Sequence, residues 1–404
     1  MRLTRALQSM SLAQLRQDII RPSGGSLIHL NNAGASPQPR PVLQRVISHM
    51  QSEAELGGYE AADMVAEELR GVYVAAAQLI NAKPNEIALQ ESASMAWAKL
   101  VYGLGAEFRA GERVLVCEAE YGANYVALLQ LAKRSGATIE VIPSDSNGQV
   151  DVGELERMLS QGGVRLCCIT HVPTNGGLVN PAASIGKLCQ RSGVLYMLDA
   201  CQSVGQLSVD VQEIGCDALC VTGRKFLRGP RGTGFLYVSS LAMPRFGEPG
   251  IVDHSGANWV SSSAYELQQD AKRYEFWEAN IAAQLGLGEA IRYALDVGLE
   301  NIEDRVKSLG RLAREGLGAI EGVTVHDIGV EMCGIVSFSV QGVEAAEVKR
   351  HLRELGITVS TSGPGSTLLD ASKRNLPTLV RASPHYFNTE EEVAKLVEGV
   401  QQLQ

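Results

Sequence analysis

Val194 opens an apolar run that closes on Leu198-Asp199-Ala200-Cys201-Gln202, and a second run from Ala218 closes on Val221-Thr222-Gly223-Arg224-Lys225-Phe226. A glycine-rich turn, Gly229-Pro230-Arg231-Gly232-Thr233-Gly234, follows and leads into a third run ending at Val238. Short, nearly unbroken apolar runs are what strands buried on both faces look like, and such strands belong to parallel sheets covered by helices. In an open sheet of that kind, ligands lie beyond the carboxyl ends of the strands. The reading therefore puts an acid, Asp199, and an amine, Lys225, into one crevice.

Outward from this stretch, the pattern continues. Apolar runs at Ile87–Gln90, Arg113–Cys117, Thr138–Ile142, Arg165–Thr170, Val194–Leu198, Ala218–Thr222 and Gly234–Val238 give seven candidate strands. Helical stretches at Ala123–Ser135, Val152–Ser160 and Ala183–Ser192 separate several of them, the signature of βαβ units. Asp151 reads as the N-cap of the second helix, with Glu154 as its capping-box acid. After Ser240 a polar connection with Pro244, Pro249, His254 and Trp259 shows no period and is read as active-site loops. Glu278–Val297 reads as a long helix. A helix from about residue 300, strands near Ile335–Val340 and Leu379–Ala382, a helix at Glu344–Leu355 and a final helix then make a small α/β domain. The expected fold class is α/β: a large, mostly parallel seven-stranded domain at 31–285, a small C-terminal α/β domain at 286–404, and an N-terminal segment at 1–30.

A chain of 404 residues exceeds what one core comfortably supports, which agrees with two domains. With 45% apolar and 20% charged residues it has the material to bury a core. The net charge of -9 is spread without a basic stripe, which argues against nucleic acid as a partner. Met1–Ile20 lacks the apolar core of a signal peptide, and no run reaches membrane-spanning length, so a cytoplasmic protein without membrane contact is expected. The eight cysteines form no CxxC pair and no metal-ligand spacing; reduced, buried thiols and no metal are expected.

An acid and a lysine at neighbouring strand ends meet the demand of pyridoxal 5′-phosphate (PLP) chemistry. The acid keeps the cofactor's pyridine nitrogen protonated, while the amine bonds the cofactor as a Schiff base and later moves protons. The Asp-x-x-Gln, Thr-Gly-x-Lys and Gly-Pro-x-Gly elements together resemble the class V aminotransferases and cysteine desulfurases, PLP enzymes of the aspartate aminotransferase fold (fold type I). The resemblance covers most of the chain and implies that Lys225 is the catalytic, cofactor-bearing residue. It further implies that Asp199 pairs with the pyridine nitrogen, that Gln202 donates to the phenolic oxygen, and that Thr222 borders the cofactor. Arg224 stands where the family usually has His, which leaves a cation for the phosphate. Ala93 and Ser94, at a strand-to-helix junction with free backbone N–H groups, match the phosphate cup. Tyr121 is the residue expected to stack on the ring. In His171-Val172-Pro173-Thr174-Asn175 the register leaves Thr174 and Asn175 both open as neighbours of the phenolic oxygen and the substrate carboxylate.

On the substrate side Arg381-Ala382-Ser383-Pro384-His385-Tyr386-Phe387-Asn388-Thr389 resembles the family's Arg-x-Ser-x-x-x-Tyr-Asn-Thr signature, which implies that Arg381 is a bidentate carboxylate clamp. Asn32 and Ala33 line an early turn, and Arg231, with Arg228 and Trp259, is a candidate for a second substrate group. Glu278 falls where relatives place a Thr that reaches the neighbouring subunit's phosphate; a carboxylate there repels phosphate. A homodimer with active sites at the subunit interface is implied. Cysteine desulfurases need a nucleophilic thiol on a mobile loop ahead of the clamp arginine, and the corresponding Thr361-Ser362-Gly363-Pro364-Gly365-Ser366-Thr367 has none. The sequence is nearest in motif to the family's carbon–sulfur lyases. The expected reaction is β-elimination from a cysteine-derived amino acid to pyruvate and ammonia, with an aminotransferase or epimerase as the alternative. A desulfurase or a non-catalytic protein of this fold ranks below these.

Overall fold

Alternation within the apolar runs decides the layering, because successive side chains of a strand point to opposite faces. In Arg113–Cys117, Val114 and Val116 enter one core while Leu115 and Cys117 enter the other; in Leu195–Asp199, Leu195 and Met197 part in the same way from Tyr196 and Leu198. The computed structural model describes residues 11–20 and 27–404, so parts of the expected N-terminal segment, 1–10 and 21–26, lie outside them. In chain order the strands of the main sheet, β1 to β7, are Ile87–Gln90, Arg113–Cys117, Thr138–Ile142, Val164–Thr170, Leu195–Asp199, Ala218–Thr222 and Gly234–Val238. They lie in the order β1-β7-β6-β5-β4-β2-β3, and only β7 runs against its neighbours. The fold is the expected α/β, mostly parallel seven-stranded architecture of fold type I.

Chain order reverses between β2 and β4: from β2 the chain moves outward to the edge strand β3, then returns to β4 on the other side. Such a switch point leaves a crevice at the strands' carboxyl ends. Helix Gly122–Ser135 starts there after β2, and helix Ala93–Gly105 starts at the same end after β1. Asp151 caps helix Val152–Ser160 as expected, accepting from the Glu154 N–H. The Glu154 carboxylate turns to Arg157 instead of closing a box.

The long helix begins at Ile281, later than the pattern suggested, because the Asn280 side chain caps it by accepting from the Ala283 N–H. It ends at Val297 and packs on helices Arg40–Leu56 and Ala66–Ile80, so residue 285, the expected domain limit, lies inside it. The C-terminal body is an antiparallel sheet of Val323–Val325, Val336–Val340, Leu379–Ala382 and Ser360–Ser362, in that order, with its own core. Strand Ile28–His29 pairs in parallel with Ile357–Thr358 and ties the start of the chain to this body.

The connection after Ser240 departs from expectation. It holds a short 3₁₀ turn at Met243–Phe246 and a hairpin, Ala257–Ser261 with Ala264–Leu267. The hairpin is exposed on nearly all of its residues, so neither face carries an apolar period to read. Trp259 is 80% exposed, and with His254 and Tyr265 it borders a recess separate from the strand-end crevice. Among the described residues no helix is long and apolar enough to cross a membrane. All eight cysteines are buried and unpaired.

Candidate active site

Parallel register sets the floor of the crevice. Thr170, Asp199 and Cys220 are direct partners across β4, β5 and β6, so the last polar side chains of these strands share one level. The cavity above them is lined by Ala93, Ser94, Tyr121, Thr174, Asp199, Gln202, Thr222, Arg224 and Lys225, together with Ser92, Asn124, Thr170, Val172, Cys201 and Cys220. All nine residues expected to hold the cofactor therefore line a single cavity.

Asp199 is buried, and its carboxylate is held at both ends: Oδ1 accepts from the Cys201 N–H at 2.9 Å and Oδ2 from Asn124 Nδ2 at 2.7 Å. The first bond is the local turn that Asp favours after a strand. Lys225 sits in a tight turn in which the Arg228 N–H donates to the Lys225 carbonyl and the Gly229 N–H to that of Gly223. Gly205, at φ +94°, makes room for it, since a Cβ there would lie 2.5 Å from the Phe226 carbonyl carbon. Removal from water, with Arg224 and Arg381 nearby, lowers the Lys225 ammonium below its ordinary range, despite opposition from Cys201 and Asp199. A larger share of free amine is what a nucleophile and proton carrier needs.

The helix at the phosphate-cup position is capped by Ser92, whose hydroxyl accepts from the Met95 N–H. This frees exposed Ser94 in the first turn. Arg224 is half-buried and reaches the Gly34 carbonyl. Its guanidinium is lowered by desolvation and by neighbouring Arg231. Tyr121 is the N-cap residue of helix Gly122–Ser135 and is 38% exposed at the cavity.

Of Thr174 and Asn175, only Thr174 lines the cavity. Thr174 Oγ1 accepts from Arg381 Nη1 at 2.6 Å and from Gln202 Nε2 at 3.3 Å. Asn175 turns away, donating to Asp370 while its carbonyl accepts from Ser337. Arg381 is buried and pushed down to about 10 by desolvation and by Arg224, which leaves it charged at neutral pH. Its Nε is buried without a partner, a donor that a carboxylate could satisfy.

None of the substrate-side candidates, Arg381 included, is among the residues that line the cavity. Ala33 is buried and accepts from Gln202 Nε2 at 3.2 Å; Asn32 is buried and donates to the Ser383 carbonyl at 2.8 Å, so both tie the early turn to the site's walls. Arg231 and Glu278 are exposed. Arg228 is not available to substrate: it is 1% exposed, donates to the Pro37 carbonyl and the Tyr386 hydroxyl, and lies 4.3 Å over the Phe387 ring. It keeps φ at +60° beneath this aromatic cage.

Sequence reasoning did not single out Asn124, Thr170 or Glu120. Glu120 lies beneath the cavity floor and accepts from Asn124 and Thr170. The available signal was position: Thr170 ends β4 beside Asp199, and Glu120 and Asn124 flank a helix start four residues apart.

The segment Thr361–Thr367 meets the start of helix Gly122–Ser135, beside the cavity. Its 3₁₀ turn, Pro364–Ser366, brings the Gly365 carbonyl against Gly122, where a Cβ would sit 2.8 Å away. No thiol is present on it, and Cys333 is fully buried in a separate apolar cluster. Cys201, the thiol beside Lys225, is 7% exposed, is raised by burial, and donates weakly to the Cys220 carbonyl.

The aminotransferase class-V family model matches residues 28–396. A probable cysteine desulfurase from Methanothermobacter thermautotrophicus is 29% identical over 400 residues, covering 98% of both chains. The apo structure of a cysteine desulfurase from Thermococcus onnurineus NA1 superposes with a TM-score of 0.88 at 27% identity, covering 97% of both chains. A cystine C–S lyase in complex with its reaction product cysteine persulfide gives a TM-score of 0.83 at 22% identity, over 93% of this chain and 98% of that one.

Proposed function

The chain belongs to the class-V aminotransferase family, whose cofactor is PLP, and from that premise we propose that it is a carbon–sulfur lyase eliminating the sulfur substituent of a cysteine-derived amino acid. The observation that carries this reading is the absence of a thiol from Thr361–Thr367, the segment beside a cavity lined by all nine residues expected to hold the cofactor.

The donor set fits the cofactor. Asp199 supplies the anion for the ring nitrogen, Lys225 the amine for covalent attachment, Ser94, Ala93 and Arg224 the phosphate contacts, Tyr121 a ring face, and Thr222 and Gln202 polar neighbours. Gln202 Oε1, buried without a partner, is the kind of group a bound molecule satisfies. Bound PLP supplies an electron sink for negative charge at the substrate's Cα. Arg381 orients the α-carboxylate, its hand steadied by Thr174. Lys225, its amine partly free through desolvation, takes the α-proton. The sulfur group then leaves Cβ with the bonding pair, and water completes the balance: cysteine conjugate plus water gives thiol, pyruvate and ammonia.

The subunit arrangement belongs to the same proposal. Exposed Trp277 lies in Phe276-Trp277-Glu278, the place where the family resemblance puts a contact with the neighbouring subunit, and sedimentation at two concentrations tests the dimer.

A second reading, cysteine desulfurase, is favoured by the names of the full-length relatives. It requires a thiol that accepts sulfur from the substrate and then passes it on. Parallel incubations with a cysteine conjugate and with free cysteine, neither with a keto acid, decide among these. Catalytic pyruvate with free thiol supports elimination. Protein-bound, cyanide-releasable sulfur with alanine supports the desulfurase. Stoichiometric conversion to the amine form of the cofactor supports an aminotransferase.

A further inference from the structure

Directly behind Asp199 lies a second carboxylate that the reaction does not use. Asn124 Nδ2 stands between the two, donating to Asp199 Oδ2 at 2.7 Å and to Glu120 Oε1 at 2.9 Å. A primary amide has two N–H groups, and here each meets one carboxylate. The reverse orientation would aim the amide oxygen at two acceptors, so the side chain has a single acceptable pose. Glu120 is fixed in turn: its Oε1 also accepts from Thr170 Oγ1 at 2.5 Å and from the Tyr121 N–H at 2.9 Å. All three bridge members are nearly inaccessible, at 2%, 5% and 6% for Glu120, Asn124 and Asp199. Three donors converging on one buried oxygen are costly unless that oxygen bears charge or has a purpose there.

We propose that Glu120 is a positioning residue for the cofactor ring: through the Asn124 amide it orients the Asp199 carboxylate and reinforces its negative charge toward the ring nitrogen. The inference rests on the reading of Asp199 as the ring-nitrogen partner. A polarised N–H chain between two anions is stable only when a positive charge offsets them, and a protonated ring nitrogen opposite Asp199 is that charge. By linkage, ring protonation and Glu120 ionisation then favour each other.

The groups facing Glu120 are Asp199 from β5, Cys117 from β2, whose thiol lies 3.7 Å from Oε2, and Cys168 and Thr170 from β4. Burial, helped by Asp199 and opposed by the bonds from Thr170, Asn124 and the Tyr121 N–H, leaves Glu120 pushed up to about 7. The bridge is therefore adjustable in the neutral range.

Glu120→Gln tests this without disturbing the packing. Gln keeps an acceptor at Oε1 for the three donors and places its NH₂ beside the Cys117 thiol, so shape is preserved and charge is lost. The holoenzyme is reconstituted with PLP carrying nitrogen-15 in the ring, and the ring-nitrogen chemical shift is followed through the neutral range. In the wild type the shift stays at the protonated end. In Glu120→Gln it moves toward the neutral-pyridine end and PLP dissociates about tenfold more readily, one protonation unit's worth. Glu120→Asp recovers part of the shift, and Asn124→Ala reproduces the Glu120→Gln result, with the double variant no worse than either single. An unchanged ring shift and unchanged PLP affinity in folded Glu120→Gln and Asn124→Ala overturn the proposal. Asp199→Asn separates the levels: if it moves the shift while Glu120→Gln does not, only the bridge fails; if neither moves it, the placement of Asp199 fails as well.

Discussion

The two sides of the crevice are built on different terms. The strand-end wall, carrying Thr170, Asp199 and Lys225, is fixed by the register of the parallel sheet and by side chains bonded on more than one side. The other side, Thr361–Thr367, leaves strand Ser360–Ser362, which pairs with Leu379–Ala382, as a short turn that meets Gly122, and just beyond it the Asp370 N–H donates to the Glu118 carbonyl. Chemistry common to a family belongs on the rigid wall, because cofactor geometry tolerates little error. The choice of what happens to the sulfur belongs on the other, where a single side chain on a turn adds or removes a nucleophile at little cost to the fold.

Lys225→Ala probes the rigid wall most severely: pyruvate formation falls by about a thousandfold or more, with the fold kept, as read by product assay and circular dichroism. Retained turnover would break the assignment of that wall. Arg381→Lys keeps the charge but loses the planar fork, and kcat/KM falls about tenfold to a hundredfold, mostly through KM, in steady-state assays.

Acid acts on the same wall through His171, whose backbone N–H donates to the Asp199 carbonyl. Burial lowers this imidazole from 6.5 to about 4, so the native state stays unprotonated where the unfolded chain takes up a proton. Stability is thus complete above the ordinary histidine range and is lost as pH falls toward 4, by up to about 1.4 kcal/mol per pH unit for this group. Urea unfolding at a series of pH values measures the slope, and His171→Asn flattens it; an identical slope in the variant assigns acid sensitivity elsewhere. Buried His385 adds to it in the same direction.

Thr174→Val removes the hydroxyl shared by Arg381 and Gln202, and kcat/KM falls about twofold to tenfold with kcat changed less. The smallest effect sharpens the comparison most. Cys201→Ser leaves elimination within about twofold, since a protonated buried thiol has no part in it. Loss of turnover there would put the sulfur acceptor on the rigid wall and restore the desulfurase reading.

The sequence made the rigid wall legible and the other features less so, for physical reasons. All seven strands of the main sheet fall within one residue of their apolar runs, because burial on both faces leaves no polar interruption to blur them. The same rule failed after Ser240, where a hairpin exposed on nearly all residues has no buried face to announce itself. Asp199, Gln202, Thr222 and Lys225 were legible as local strand-end motifs. Glu120, Asn124 and Thr170 were not, since their bridge depends on which strand lies beside which, and register is invisible in a list of residues. Arg228 misled for the opposite reason: a cation beside the lysine turn suggests an anion, yet its neighbours, from residues 37, 293 and 386–387, arrive from distant parts of the chain.

That cage sets an order of events. The turn bearing Lys225 is gripped by the Tyr386 hydroxyl and the Phe387 ring through Arg228, and by His385 through the Phe226 carbonyl, all from the last twenty residues of the molecule. A growing polypeptide therefore has all seven strands of its main sheet, complete at Val238, well before residues 385–387 emerge to seat its lysine turn. Ribosome-stalled chains ending before residue 380 would capture no PLP, whereas released full-length chains would; capture by the shorter chains would show the grip to be dispensable.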